Sequence, residues 1–333
     1  MSGKTLDRVV VVTGASAGVG RAVARAFGQQ GAKVGLIART EEALRDAAGE
    51  IERAGGQAMV LPLDVADPGA VNAAADQVVA RFGRIDVWVN DAMVSVFSPV
   101  KEMKPEEYRR VTEVDYLGYV HGTQAALRHM LRRDRGHIIQ IGSALVYRSI
   151  PLQSAYCASK AAIRGFTDSL RCELYHDHSR VKLSMVQLPA VNTPQFDVVR
   201  SRLPNRPQPV PPIFQPEVVA RAVLYVADHP VRELWLGLSA VRAILGQMLI
   251  PGLLDRYLGR TGYTSQQTSE REPPGRADDV DRALRGDRGS HGDFDTRSQG
   301  RSAELWLRMH RRWIAGAAAA AAAGVLGYRA LTA

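Results

Sequence analysis

The 333-residue chain contains two cysteines, Cys157 and Cys172, and neither is flanked by the second Cys or His pair that a zinc site requires. A disulfide framework is thereby excluded, no metal site is expected, and a reducing compartment is. The opening MSGKTLDRVV lacks an apolar stretch between a basic end and a small-residue cleavage site, so secretion is not expected and a cytoplasmic location is. No repeat of about 20 to 50 residues recurs. The net charge of +9 is carried mostly by arginine, but these residues are spread along the chain without a zinc-finger or helix-turn-helix pattern. They read as solvated surface, and no nucleic-acid partner is expected.

Hydrophobic residues make up 46% of the chain, which is ordinary for a globular protein. Short apolar runs at 9–13, 34–38, 58–63, 85–90, 138–141 and 181–187 alternate with amphipathic stretches. Near-continuous Val and Ile suit strands covered on both faces, so this rhythm predicts an α/β fold with an open, doubly wound parallel sheet and helices on each side. The proline-rich stretch 195–216 cannot continue a helix or a central strand and is expected to form a substrate lid over the ligand-binding edge. Residues 216–228 read as helix, 234–236 as a last strand, and 241–258 as an apolar segment broken at Pro251-Gly252. The globule is expected to end near Gly262. Residues 263–304 are rich in Gly, Ser, Arg and Asp with few large apolar groups, the composition of a disordered linker.

Directly after the first run comes TGASAGVGRAVARAF, in which Gly14, Gly18 and Gly20 lead into a helix. Glycines allow positive φ and close backbone approach, and a helix N-terminus attracts a pyrophosphate. The spacing G-x-x-x-G-x-G differs from the common G-x-G-x-x-G fingerprint, and a merely glycine-rich turn is the alternative. Where an acid reading a ribose would follow the second run, the sequence has Ala38 and then Arg39. A guanidinium there suits a 2′-phosphate, which favours NADP(H) over NAD(H); a solvated arginine beside a helix cap is the bland reading.

In SAYCASKAAI, Tyr156 and Lys160 stand four apart and so share one helix face. Ser143 stands thirteen residues before the tyrosine, at the end of the run HIIQIGS. Tyr156 can exchange a proton with a carbinol oxygen, Ser143 can hold that oxygen, and Lys160 can stabilise a phenolate. A free phenol titrates near ~10, so base work near neutrality requires a drop of up to ~3 units, about 4 kcal/mol. An ammonium ~5 Å away at an effective dielectric of about 20 supplies roughly 3 kcal/mol, so Lys160 is expected to lower the tyrosine pKa. An interfacial tyrosine beside a surface lysine is the structural alternative.

Together, TGASAGVG, the strand-end Asp64, VNDAM, the Ser143 spacing and YCASK resemble the short-chain dehydrogenase/reductase family over residues 5 to 240. The resemblance implies a seven-stranded Rossmann sheet, a nicotinamide dinucleotide as hydride carrier, and a homodimer or homotetramer. By position it implies that Gly14, Ser16, Gly18, Val19 and Gly20 cradle the cofactor, with Arg39 at its 2′-phosphate and Asp64 with Val65 at its adenine. Asn90 marks the turn beside the ribose, and Val191 and Thr193 lie against the nicotinamide carboxamide; Tyr156 and Lys160 also touch the cofactor.

Three positions depart from the family pattern. NDAM places Asp91 and Met93 where a second Asn and a Gly are usual, and Pro189-Ala190 replaces a Pro-Gly. Asp115 stands where an asparagine usually supports a water-mediated proton relay; ionised, it accepts but cannot donate, and its charge opposes Lys160. The expected function is NADP(H)-dependent interconversion of a carbonyl and an alcohol, with a catalytically weak NADPH-binding sensor or scaffold as the rival. Val94, Leu145, Tyr147, Leu152, Phe196 and the segment after Val241 suggest a lipophilic substrate. Residues 305–312 look helical and basic. The uncharged run 313–328 is shorter than the ~20 residues that span a bilayer, leaving attachment to a cytoplasmic membrane face and a partner-packed alanine-rich helix both open.

Overall fold

The computed structural model describes residues 7–311 and 313. Seven strands form the central sheet: β1 Val9–Thr13, β2 Lys33–Ala38, β3 Gln57–Pro62, β4 Val87–Asn90, β5 His137–Ser143, β6 Lys182–Leu188 and β7 Glu233–Trp235. They lie in the order β7-β6-β5-β4-β1-β2-β3, every pairing parallel. Each expected apolar run is one of these strands, with ends moved by a residue or two. β1 is VVVVT and is buried at all five positions, as β-branched side chains in a two-sided central strand should be.

Because side chains alternate across a strand, β1 divides its valines between two cores. Val10 and Val12 pack with helices α1 (Gly18–Gly28), α2 (Glu41–Arg53) and, across the sheet's other half, α8 (Pro216–Asp228). Val9 and Val11 face α3 (Pro68–Phe82), α5 (Gly118–Met130) and α6 (Ser154–His176). Phe27 of α1 is fully buried, and truncating such a ring to alanine costs about 3–5 kcal/mol. The strand order reverses direction between β1 and β4, so their C-terminal ends open a crevice at the switch point.

Four further helices frame that crevice. α4 (Pro105–Val111) passes into a π-helical stretch at Thr112–Leu117 before α5 begins, and α7 (Gln195–Val198) is a single turn within the proline-rich segment. The apolar segment near the end of the globule is a hairpin of α9 (Leu238–Leu249) and α10 (Pro251–Ser265), turning at Pro251-Gly252 as expected.

The stretch 264–303 differs from its expectation. It is not a disordered linker, and the fold does not end near Gly262: α10 runs on to Ser265, and Gln267–Arg271 pairs antiparallel with Asn205–Pro207. Ser298–Gln299 then joins Ile213–Phe214 and Ala190–Val191 in a three-stranded ribbon. Composition misleads here because the segment builds no core of its own. It lies on a surface already made by the sheet, held by polar contacts and by two buried apolar groups, Val280 and Phe294. Residues 303–311 are helical, with Leu305 buried against the α1/α8 core. The alanine-rich run from 314 onward lies outside the described residues, and among the described residues no helix is long and apolar enough to cross a membrane.

Candidate active site

Thr13 ends β1 by accepting hydrogen bonds on its hydroxyl from the Asp91 and Ala92 amides, at 3.0 and 3.2 Å, which tie the β1 and β4 ends together. Gly14 follows with φ +73°, and a Cβ there would lie 2.9 Å from the Ala92 backbone. At Gly20 a Cβ would meet the Gly14 carbonyl oxygen at 2.3 Å, so only glycine lets α1 start this close to the strand. The α1 N-terminus has no side-chain cap. Its first amide, Gly18 N–H, instead donates to the Gly289 carbonyl at 3.0 Å.

These elements open into one cavity of about 1290 Å³, larger than the ~300–1,000 Å³ of ordinary ligand pockets. Gly14, Ser16, Gly18, Val19, Arg39, Asp64, Val65, Ser143, Tyr156, Lys160, Val191 and Thr193 all line it, as the sequence pattern placed them. Gly20 lets α1 approach the strand and donates its backbone amide to Asp91, but it does not line the cavity. Asn90 does not reach it either: its side chain is fully buried, accepting from the Trp88 indole at 2.8 Å and donating to Thr123 and Gln140 at 3.1 and 2.9 Å. Asn90 therefore braces β4 against α5 and β5 rather than presenting its amide to a ribose. Of the residues expected at the substrate end, Val94, Leu145 and Phe196 line the cavity, together with Leu254, Tyr257 and Leu258 of α10. Tyr147 and Leu152 do not; Tyr147 donates to Glu233 at 2.6 Å and stacks under Arg164, and Leu152 packs with Phe97 and Phe196.

At the other end, Arg39 donates to the backbone carbonyls of Asp279 at 2.6 Å and Val280 at 3.4 Å. Asp64 accepts from the Ala66 amide at 3.0 Å and is ion-paired to Arg110 of α4, a partner that sequence reasoning missed. Val65 is fixed from behind by His121, whose ring nitrogen hydrogen-bonds its carbonyl at 2.9 Å.

Ser143, Tyr156 and Lys160 come together where β5, α5 and α6 converge. Ser143 closes β5, its hydroxyl accepting from the Leu145 amide at 3.2 Å. Lys160 is buried, and its Nζ lies 5.6 Å from the Tyr156 ring centre. That ammonium donates to the Tyr119 hydroxyl at 2.8 Å and to the Ile141 carbonyl at 2.9 Å, and it stands over the Tyr119 ring at 4.5 Å. Tyr119 was not anticipated. The available signal was its position four residues after Asp115, which puts both on one face of the helix turned toward the site.

The expectation that Lys160 depresses the Tyr156 pKa is corrected by this arrangement. Burial raises the phenol well above its ordinary value, the Asp115 carboxylate raises it further, and the Ser143 hydroxyl only partly offsets them. Burial also lowers the Lys160 pKa, against the attraction of Asp115 and Asp91. Asp115 is fully buried in the π-helical stretch; one oxygen accepts from the Val94 amide at 2.8 Å and the other has no partner. Desolvation pushes its carboxyl up to about 7, opposed by Lys160. Asp91, on the cavity wall, is likewise pushed up to about 7 by burial, opposed by Lys160 and a hydrogen bond from the Gly20 backbone. Two buried carboxyls, both raised by desolvation, thus act electrostatically on one buried ammonium.

The surroundings fit a nicotinamide dinucleotide. Gly14 and the start of α1, which has no side-chain cap, line the cavity, a guanidinium stands at the end of β2, and the cavity runs from there to Ser143 and Tyr156. A doubly wound parallel sheet with this loop and this Ser, Tyr and Lys cluster defines a dinucleotide-dependent oxidoreductase. Residues 8–203 match the short chain dehydrogenase family model, and the chain belongs to that family. It is 35% identical over 273 residues to the uncharacterized oxidoreductase YxnA of Bacillus subtilis, an alignment covering 81% of this chain and 77% of that protein. It is 32% identical over 228 residues to a fatty acyl-CoA reductase of Acinetobacter baylyi, covering 68% and 75%. A metagenomic short-chain oxidoreductase solved in complex with NADP superposes with a TM-score of 0.60 at 33% identity, covering 70% of this chain and 98% of that one. The chain is therefore an oxidoreductase of the short-chain type with a site for a nicotinamide dinucleotide.

Proposed function

We propose that the chain reduces a lipophilic carbonyl compound to an alcohol with NADPH, Tyr156 donating the proton. The observation that carries this reading is the convergence of Ser143, Tyr156 and Lys160 on the same cavity as the glycine loop and Arg39. The dinucleotide supplies the hydride; the chain supplies orientation and the proton. Ser143 and Tyr156 hold the carbonyl oxygen by hydrogen bonds, so negative charge developing there meets two hydroxyl donors. A phenol raised by burial stays protonated throughout the physiological range and serves as a general acid, which favours the reductive direction. After transfer, the Tyr156 phenolate faces the Lys160 ammonium, which the Tyr119 hydroxyl and the Ile141 carbonyl hold in place. Asp115, its carboxyl raised by desolvation and held in electrostatic interaction with Lys160, is the neighbouring acid this reading assigns to reprotonation.

Arg39 supports NADPH over NADH, since a guanidinium at the β2 end pairs with a 2′-phosphate. Support for a lipophilic substrate comes from the apolar wall of Val94, Leu145, Phe196, Leu254 and Leu258 beyond the Ser143 hydroxyl, with residues 195–216 as its lid. The relatedness to a fatty acyl-CoA reductase points the same way. Oxidation of NADPH, followed against aliphatic ketones and aldehydes of increasing chain length, tests the reading. Turnover that rises with chain length and disappears in Tyr156→Phe supports it. Tight NADPH binding with no turnover on any substrate returns the sensor or scaffold.

A further inference from the structure

The stretch 276–300 follows an unusual path. It passes from Arg39 by the starts of α2 and α1 to the Val191–Thr193 turn, so its contacts come in the order in which an extended dinucleotide would be laid out. At its start, the Asp279 and Val280 carbonyls receive the Arg39 guanidinium, and Arg110 donates to Val280 at 3.0 Å. Next, the Leu284 carbonyl accepts from the Thr40 hydroxyl at 3.2 Å, and the Gly286 amide donates to Glu42 at 3.2 Å, both at the start of α2. Asp287 then pairs with Arg21, a buried residue of α1 that Glu50 also holds at 2.7 Å. Two residues on, the Gly289 carbonyl takes the Gly18 amide. The stretch ends against the Val191–Thr193 turn: a Cβ on Gly292 would collide with the Thr193 carbonyl at 2.5 Å, and the Phe294 amide donates to Asn192 at 3.1 Å.

Asp279, Ala283, Leu284, Gly286 and Arg288 line the same cavity as Gly14, Ser16, Gly18 and Arg39. The wall of the space is therefore built both by the loops at the sheet's edge and by this segment. From the geometry we infer that residues 276–300 are a strap that completes the dinucleotide site, enclosing the adenosine and pyrophosphate portion and having to lift before the dinucleotide can leave. This rests on the nicotinamide dinucleotide occupying the cavity, and it assigns a binding role to a segment outside the family-matched 8–203.

The way the strap is fastened is what makes lifting feasible. Val280 and Phe294 are buried at its two ends, Phe294 edge-on to Phe196 with ring centres 5.9 Å apart. Between them, from 281 to 293, only Ser290 is buried, so that span is held by a handful of polar contacts. Such a span opens at small free-energy cost while the sheet beneath stays intact. Arg288 is a basic strap residue on the cavity wall, adjacent to the Gly289 carbonyl that takes the Gly18 amide.

The test is dinucleotide release from the full chain, followed by stopped-flow loss of NADPH fluorescence on mixing with excess NADP+. It compares the wild type with Asp287→Ala, which frees the middle of the strap, and with Phe294→Ala, which frees its end. Neither side chain lines the cavity. Release faster by about 10-fold or more in both variants, with the Asp287→Ala melting temperature within about 3 °C of wild type, supports the strap. Release within about twofold of wild type in Asp287→Ala and Phe294→Ala overturns it while leaving the dinucleotide reading intact. Tighter NADPH binding in the loosened variants also overturns it, since the segment would then compete with the dinucleotide rather than enclose it. A wild type that binds no NADPH defeats the dinucleotide reading itself, and the strap with it.

Discussion

At the Arg39 end of the cavity the charges are matched: Arg110 pairs with Asp64, and Arg39 is satisfied by two strap carbonyls with the Asp279 carboxylate 3.9 Å away. At the Lys160 end they are not. Asp115 has an oxygen without a partner, Asp91 and Asp115 are both pushed up to about 7, and the ammonium between them bonds to a hydroxyl and a carbonyl. The first arrangement suits recognition, because paired charges fix geometry, and it does so even though burial raises the Asp279 carboxyl to about 6. The second suits proton movement, because buried groups with midpoints near neutrality exchange protons at little cost.

The contrast can be attacked from either end. The largest effect is expected at the reactive end: Tyr156→Phe should lower turnover at saturating NADPH by about 10³–10⁴-fold while NADPH affinity by fluorescence titration stays within threefold, about the loss of one general acid. Turnover within tenfold of wild type would show that the proton comes from elsewhere. Next, at the recognition end, Arg39→Ser should lower the preference for NADPH over NADH by about 10–100-fold, as expected for losing a charged hydrogen bond, with turnover at saturation largely kept. An unchanged preference would mean that Arg39 serves only to seat the strap.

Asp115→Asn should show the difference between the two ends as a pH effect. Because the Asp115 carboxyl is raised to about 7 in the fold from ~3.9 unfolded, the folded state carries a penalty that grows as pH rises from ~4 to ~7 and stays constant above. The asparagine still accepts from the Val94 amide without that penalty. The stability gain of the variant over wild type should therefore be larger at pH 8 than at pH 5, as read by denaturant unfolding. The inflection near pH 7 in NADPH-driven reduction should shift or flatten. Equal stability at both pH values would place the carboxyl in its ordinary range. The smallest effect belongs to Arg110→Ala, whose partner Asp64 is about a third exposed; about 1 kcal/mol, or ~2–4 °C in melting temperature, is expected.

How much of this was legible depended on how local the cause was. The glycine loop, Ser143 at a strand end and the Tyr156/Lys160 pair are set by spacing within one strand, turn or helix, so the sequence pattern was enough to locate them on those elements. Tyr119 and Arg110 reach the site only through tertiary packing of α5 and α4, and a single helix pattern does not reveal which partner awaits. Asp91 was visible as an oddity, but its raised carboxyl arises from burial beside Gly20, which only the folded loop creates. The phenol's electrostatics were misjudged for the same reason: a lysine one helical turn away was counted, while desolvation and the opposing Asp115 charge were not. The strap was missed because its contacts lie far away in sequence, more than 200 residues between Arg39 and Asp279 or Arg21 and Asp287, and such pairings leave no periodicity to read.

The central claim is that Tyr156 works as a protonated donor in an environment that raises its pKa. Carbon-13 NMR of protein labelled at the tyrosine ζ carbon, with the Tyr156 signal assigned by its absence from Tyr156→Phe, reports this ionisation directly. The account predicts that the signal stays in the phenol form up to at least pH ~10. A titration centred at or below pH ~8 would contradict it and restore the lysine as the group that makes this tyrosine acidic.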